Sequence, residues 1–237
     1  MGAINVGNTV GGINWPGASF DPETATFYGQ ANNSSVNATS LTEFYVQTVR
    51  PETQKESGRG PIWDPAAKSA ALASTPARTR GAAAPAGERA GLTTGLEGLP
   101  IAKPPYGVLT AIDLNTGETK FKVPHGDTPD NVRATLQRLG VNYPEKTGQA
   151  GSVGLMVTKT LVIVGDPQVT APPGRMRGAM LRAYDKKSGK EVGAVWMPAQ
   201  QSGSPMTYMV DGRQYIVVAV QGTAGAGGQY IAYALPK

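Results

Sequence analysis

The sequence predicts an all-β chain of repeated four-stranded antiparallel units, a partial β-propeller of two to three blades. Three observations carry that expectation. TAIDLNTGETKF (110–121) returns 72 residues later as RAYDKKSGKEVG (182–193), and a truncated copy, GQYIAYALPK (228–237), closes the sequence. The two full copies share Ala-x-Asp-x-x-(Thr/Ser)-Gly-(Glu/Lys), and self-similarity of this kind marks stacked supersecondary units. Upstream of each copy stands a second pattern of short strand, polar turn and β-branched or aromatic strand: ASFDPETATFYGQA (18–31), SVGLMVTKTLVIVG (152–165) and GSPMTYMVDGRQYIVVAV (203–220). With 31 Gly and 19 Pro in 237 residues and 40% apolar composition, turns are frequent.

Each unit therefore reads strand, turn, strand, connection, Ala-x-Asp strand, glycine turn, strand. Four antiparallel strands in roughly 50–70 residues is the blade pattern of a propeller. The first blade spans 13–123, with its polar turn at 21–24, and is interrupted by an insert at about 50–99. Ala, Arg, Pro, Ser and Gly dominate 66–90 without strand alternation, so this stretch is expected to be a mobile surface excursion and 49–99 the least ordered part of the chain. Seven basic and four acidic residues between Arg50 and Ala90 supply much of the net charge of +5. They lack interleaved aromatics and dense basic runs, which argues against a nucleic-acid partner.

A helical connection follows at 128–140. Asp127-Thr128-Pro129 forms the start signal, Val132, Leu136 and Leu139 fall at i, i+4 and i+7, and Gly140 is the stop. The second blade spans 152–197 with its turn at 158–160. The third, at 203–237, turns at 211–213 and is incomplete. The chain 1–237 thus reads as one propeller domain.

Chemistry-bearing residues are few. Cysteine is absent, which removes disulfides and thiolate metal sites and fits an oxidising compartment. His125, in VPHGD, is the single histidine, so no His-pair metal site can form, and it is expected in a surface loop. Asp113 and Asp185 close the repeated strands, where their carboxylates can accept from N–H groups of the following turn. No Walker spacing appears, no signal-peptide pattern follows Met1, and no apolar run is long enough to span a bilayer. From the residues alone, Asn14 reads as a turn cap and Trp15 as a core residue rather than as ligand contacts, and Gly222 belongs to a flexible glycine loop.

The Ala-x-Asp-x-x-Thr-Gly-x-x-x-(aromatic) repeat resembles the blade signature of the pyrroloquinoline quinone (PQQ) dependent dehydrogenases. Four stretches resemble their membrane-associated glucose and polyol branch: GGINWPGASFDPET (11–24), KPPYGVLTAIDLNTGE (103–118), SPMTYMVDGRQYIVVAV (204–220) and YIAYALPK (230–237). The family's final aromatic, a Trp docked on a neighbouring blade, is Phe121 in one copy and Gly193 in the next, where the docking is either lost or supplied by Trp196.

The resemblance implies the C-terminal part of an eight-bladed quinoprotein propeller, with the catalytic Asp and calcium ligands upstream, so that this chain supplies no catalytic or metal-binding residue and is inactive alone. It implies a PQQ- and calcium-dependent oxidoreductase acting on a sugar or polyol alcohol, periplasmic and membrane-associated through a missing N-terminal part, with a membrane quinone as electron acceptor and the remaining blades as partners. It makes Asn14 a donor to the cofactor quinone, Trp15 part of the wall beside it, and Gly222 a point of close backbone approach. A non-catalytic propeller scaffold is the alternative.

Overall fold

A computed structural model describes residues 12–14, 16–33, 99–100, 102–143, 146–222 and 227–234. Trp15 and the insert at 50–98 lie outside the described residues.

Eleven strands and one helix are formed among these residues, in three antiparallel sheets. The first contains β1 (Ala18–Asp21), β2 (Thr26–Asn32), β3 (Gly107–Asp113) and β4 (Thr119–Pro124), hydrogen-bonded in that order. Helix α1 (Asp130–Arg138) precedes the second, made of β5 (Leu155–Val157), β6 (Leu161–Gly165), β7 (Ala179–Asp185) and β8 (Glu191–Met197), again in sequence order. The third contains β9 (Met206–Val210), β10 (Arg213–Val220) and β11 (Gln229–Ala234), with β10 in the middle. This is the nearly all-β, propeller-type architecture expected.

The apolar pattern explains how the sheets stack. Side chains alternate across a strand, so β6 sends Val162 and Val164 to one face and Ile163 to the other. The first pair joins Tyr28, Leu109, Ala111 and Tyr184 in the core between the first and second sheets. Ile163 joins Leu181, Met197, Val218 and Val220 in the core between the second and third. Strand β6 is covered on both faces, which is why LVIV reads as a continuous apolar run.

The repeat has a common backbone signature. In both full copies the strand pair shifts register directly after the repeat's alanine, between Ala111 and Ile112 and between Ala183 and Tyr184. The glycine that follows each turn has positive φ, +76° at Gly117 and +71° at Gly189, where L side chains are strained. Asp113 Oδ1 accepts from Asn115 N at 2.9 Å, and Asp185 Oδ1 from Ser188 N at 2.8 Å.

Phe121 packs against Gly189 of the next sheet and lies 6.2 Å from the Tyr28 ring. Trp196 does not repeat that docking. Its ring abuts Gly178 of its own sheet, and its carbonyl accepts from Tyr233 Oη of the third sheet at 2.6 Å.

The helix is shorter than its sequence signals predict. It begins at Asp130, with Pro129 at the N-cap position and no side-chain cap. Asp127 instead faces Arg175 and Arg182, and Thr128 Oγ1 accepts from Thr147 N. Of the three stripe residues only Val132 is buried, while Leu139 is exposed. Gly140 ends the helix with φ of +65°.

Candidate functional site

Antiparallel order divides the sheets into two ends. At one, short turns at 22–25, 114–118, 158–160, 186–190 and 211–212 carry the repeated Asp and Gly residues. This end is fixed by an ion pair between sheets, Lys186 Nζ to Asp21 Oδ2 at 2.7 Å with both side chains buried. The hydrogen bond from Lys186 holds the Asp21 carboxyl below the usual carboxylate range, aided by Thr24.

The opposite end carries the longer connections and the candidate ligand contacts. Three segments leading into the first strand of each sheet meet there, around Gly154. A Cβ added to Gly154 would overlap Ser204 Oγ of the third sheet and lie 3.1 Å from Pro16 O of the first. Such close backbone approach admits only glycine. Ser19 Oγ donates to Leu155 O at 2.7 Å, tying β1 to β5.

Two buried glutamines hold the joint from either side. Gln30 accepts from Val153 N at 3.1 Å and donates to Gly151 O at 3.0 Å. Gln201 donates to Gly154 O at 2.6 Å and accepts from Gly165 N at 2.5 Å. A primary amide is suited to this work because it offers donor and acceptor to backbone groups without charge.

Asn14 stands two residues before Pro16, half-buried, and its carbonyl accepts from Gly17 N at 2.7 Å in a tight turn. Gly222 lies at the same end, exposed, in the connection leaving β10, where the preceding Gln221 N donates to Gln200 O at 2.9 Å. Asn14 belongs to the first sheet and Gly222 to the third, with the middle sheet between them. Trp15 is outside the described residues.

His125 does not lie in a surface loop. It is fully buried between the first two sheets, with Nε2 3.0 Å from Gly165 O and Nδ1 3.0 Å from Tyr184 Oη. A carbonyl only accepts, so Nε2 carries the proton, and in the neutral ring Nδ1 then accepts from the Tyr184 hydroxyl. Burial holds the His125 pKa below its ordinary value and pushes that of the Tyr184 phenol up.

Beside this pair lies an ion network that sequence reasoning missed. Arg182 is 1% exposed. Its Nε donates to Asp166 Oδ1 at 2.6 Å, one Nη reaches Asp127 at 2.9 Å, and the other reaches Glu191 at 3.1 Å. Burial pushes the Asp127 carboxyl up, but Arg182 and Arg175 outweigh it and hold the carboxyl below its usual range. The available signal was Arg182 itself, a lone cation in the strand AMLRAYD, where the first copy of the repeat has Thr110.

His125 makes stability depend on pH. Its folded pKa is depressed, so below its ordinary value of about 6.5 the unfolded chain takes up a proton that the folded chain refuses. Stability is expected to fall as the pH drops below about 6.5, by at most about 1.4 kcal/mol per unit. With a single histidine, a His125→Gln variant isolates the effect. Urea unfolding across this window should show a slope for the parent that the variant lacks, and equal slopes would refute the assignment.

Comparison with known proteins places this geometry in context. Residues 1–216 match the family model described as PQQ glucose/ethanol/alcohol dehydrogenase, beta-propeller domain. The quinate/shikimate dehydrogenase (quinone) of Acinetobacter baylyi is 32% identical over 150 residues, covering 59% of this chain and 17% of its own. Quinoprotein glucose dehydrogenase A of Acinetobacter calcoaceticus is 32% identical over 143 residues, covering 59% and 16%. The glycerol dehydrogenase large subunit of Gluconobacter oxydans is 27% identical over 240 residues, covering 95% and 28%. The aligned parts thus take in 16% to 28% of the length of these relatives.

Proposed function

Because the chain belongs to the PQQ-dependent glucose/ethanol/alcohol dehydrogenase propeller family, we propose that it forms one arc of the quinone site of an oxidoreductase that oxidises the alcohol of a sugar or polyol. The observation that carries this reading is the convergence of Pro16, Gly154 and Ser204 at the loop end, next to Asn14. The tight joint holds the Asn14 segment at the loop end, where the amide of Asn14 and the bare backbone of Gly222 are groups that suit an oxygen-rich quinone, so the residues present fit the cofactor.

In this reading the Asn14 amide donates to a quinone oxygen, the Gly222 backbone approaches the ring from the third sheet, and Trp15 walls it. When bound, pyrroloquinoline quinone supplies a carbonyl that accepts the hydride equivalent of the alcohol carbon. An amide aimed at the oxygen where charge develops stabilises reduction more than binding. Gln30 and Gln201 keep the joint in place. Calcium as Lewis acid, an Asp base and the remaining blades complete the proposed site from outside these three sheets, in a periplasmic enzyme passing electrons to a membrane quinone.

Titration of the full chain with PQQ, followed by tryptophan fluorescence, tests the reading. Saturable binding is expected, and Asn14→Ala should weaken it roughly 5- to 30-fold, the worth of one hydrogen bond of about 1–2 kcal/mol. Asp113→Ala, at the far end, should lower the melting temperature and leave affinity unchanged. Absence of binding, or unchanged affinity in Asn14→Ala, would return Asn14 to a purely structural turn.

A further inference from the structure

The connection from β4 to β5 and the one from β6 to β7 enclose a cleft of about 460 Å³. Volumes of this order suit small molecules. Arg133 and Gln137 line it from one face of α1, four residues apart, and Tyr143 follows from the segment after the helix. Pro173 and Arg175 come from the β6–β7 connection, whose base is closed by the bridge between Thr170 and Gly178. Asp127 contributes its carboxylate to the lining.

Among the described residues the charges here do not cancel. Asp127 is already shared by Arg175 and Arg182. In that linked group Arg175, Arg182 and Lys146 are matched by Asp127, Asp166 and Glu191. Asp130, in contrast, serves two guanidinium groups, Arg133 at 2.9 Å and Arg177 at 2.9 Å, so one positive charge is left over. Arg133 spends three N–H groups, on Asp130, Ala171 O and Thr128 O, out of the five a guanidinium offers.

We propose that this cleft is a binding site for a small ring-bearing organic carboxylate, distinct from the quinone site and independent of that reading. The carboxylate meets the spare guanidinium donors of Arg133 and Arg175, a pairing that planar forks favour. The ring lies between Pro173 and Tyr143, with the Gln137 amide and the Tyr143 phenol available to a ring hydroxyl. Asp127, held by two arginines, sets the depth to which an anion can enter.

Calorimetric titration of the full chain with 4-hydroxybenzoate tests this, with benzamide as the uncharged ring and inorganic phosphate as the ringless anion. Saturable binding of 4-hydroxybenzoate is expected with a Kd on the order of 1 mM, with benzamide and phosphate each at least about tenfold weaker. Arg175→Ala should weaken binding about tenfold or more, and it leaves Asp127 paired with Arg182. Tyr143→Phe disturbs no ion pair and should weaken binding a few-fold, so the test holds even where Arg175→Ala fails to fold. No saturation by 4-hydroxybenzoate, equal affinity for benzamide or phosphate, or unchanged affinity in Tyr143→Phe would overturn the proposal.

Discussion

Asp166→Ala is expected to cost about 3–5 kcal/mol of folding stability. Arg182 lies between two sheets with its guanidinium buried, and Asp166 takes both its Nε and one Nη, at 2.6 and 2.9 Å. The same carboxylate accepts from Met180 N at 3.1 Å. Removing it leaves a buried cation short of its best partner and a backbone N–H without one, which is where large penalties arise. Asp127 and Glu191 cannot make up the loss, because Arg175 and Lys146 already share them. The double variant Asp166→Leu, Arg182→Met should recover at least half, since well-packed apolar groups often replace a buried pair without loss. Urea unfolding measures both. A loss under about 1 kcal/mol in the single variant would mean the network is solvated and its burial unimportant.

Gly189→Ala should cost about 2–5 kcal/mol, and Gly117→Ala only about 1–2. The two glycines occupy the same place in the two copies of the repeat with φ of +71° and +76°, so a methyl group meets the same backbone strain in both. They differ in surroundings. A Cβ at Gly117 meets nothing within 4 Å, whereas one at Gly189 lies 2.5 Å from Phe121 Cδ2. The difference between the two variants therefore isolates the packing of one sheet's aromatic on the next sheet's turn. Thermal unfolding of both, with Phe121→Ala/Gly189→Ala to relieve the clash, would check this. Equal losses would show that Phe121 does not dock rigidly.

Much of the fold was legible because the repeat is written in local terms. Asp113 and Asp185 bond to the turns that follow them, Gly117 and Gly189 hold positive φ, and LVIV signals a strand covered on both faces. These are properties of a few adjacent residues. His125 and Arg182 were not legible because their burial depends on partners brought from other sheets and connections. Nothing within VPHGD tells that Tyr184 and Gly165 will enclose the imidazole. Asp127 shows the competition directly. Locally it begins a helix-capping pattern, yet two arginines offer a carboxylate more than a backbone N–H does, and the helix starts later without a side-chain cap. Of the site, the turn at Asn14 was visible in sequence only through its likeness to a family, whereas the joint around Gly154 requires three strands in register to exist at all.

Strands β6 and β7 of the middle sheet have no face of their own to give to water, while β8 at its edge is largely exposed. Peeling either neighbour away uncovers one side of β6 and β7, and the seam with the first sheet also holds the buried His125 and Arg182. The third sheet is bound differently. Its strand β9 is exposed along its whole length, and its hold on the rest runs mainly through β10 and β11. Amide exchange is therefore expected to be faster through β9 than through β6 and β7. A ligand that touched both Asn14 and Gly222 would bridge the first and third sheets and add a hold on the third sheet that its exposed β9 does not supply.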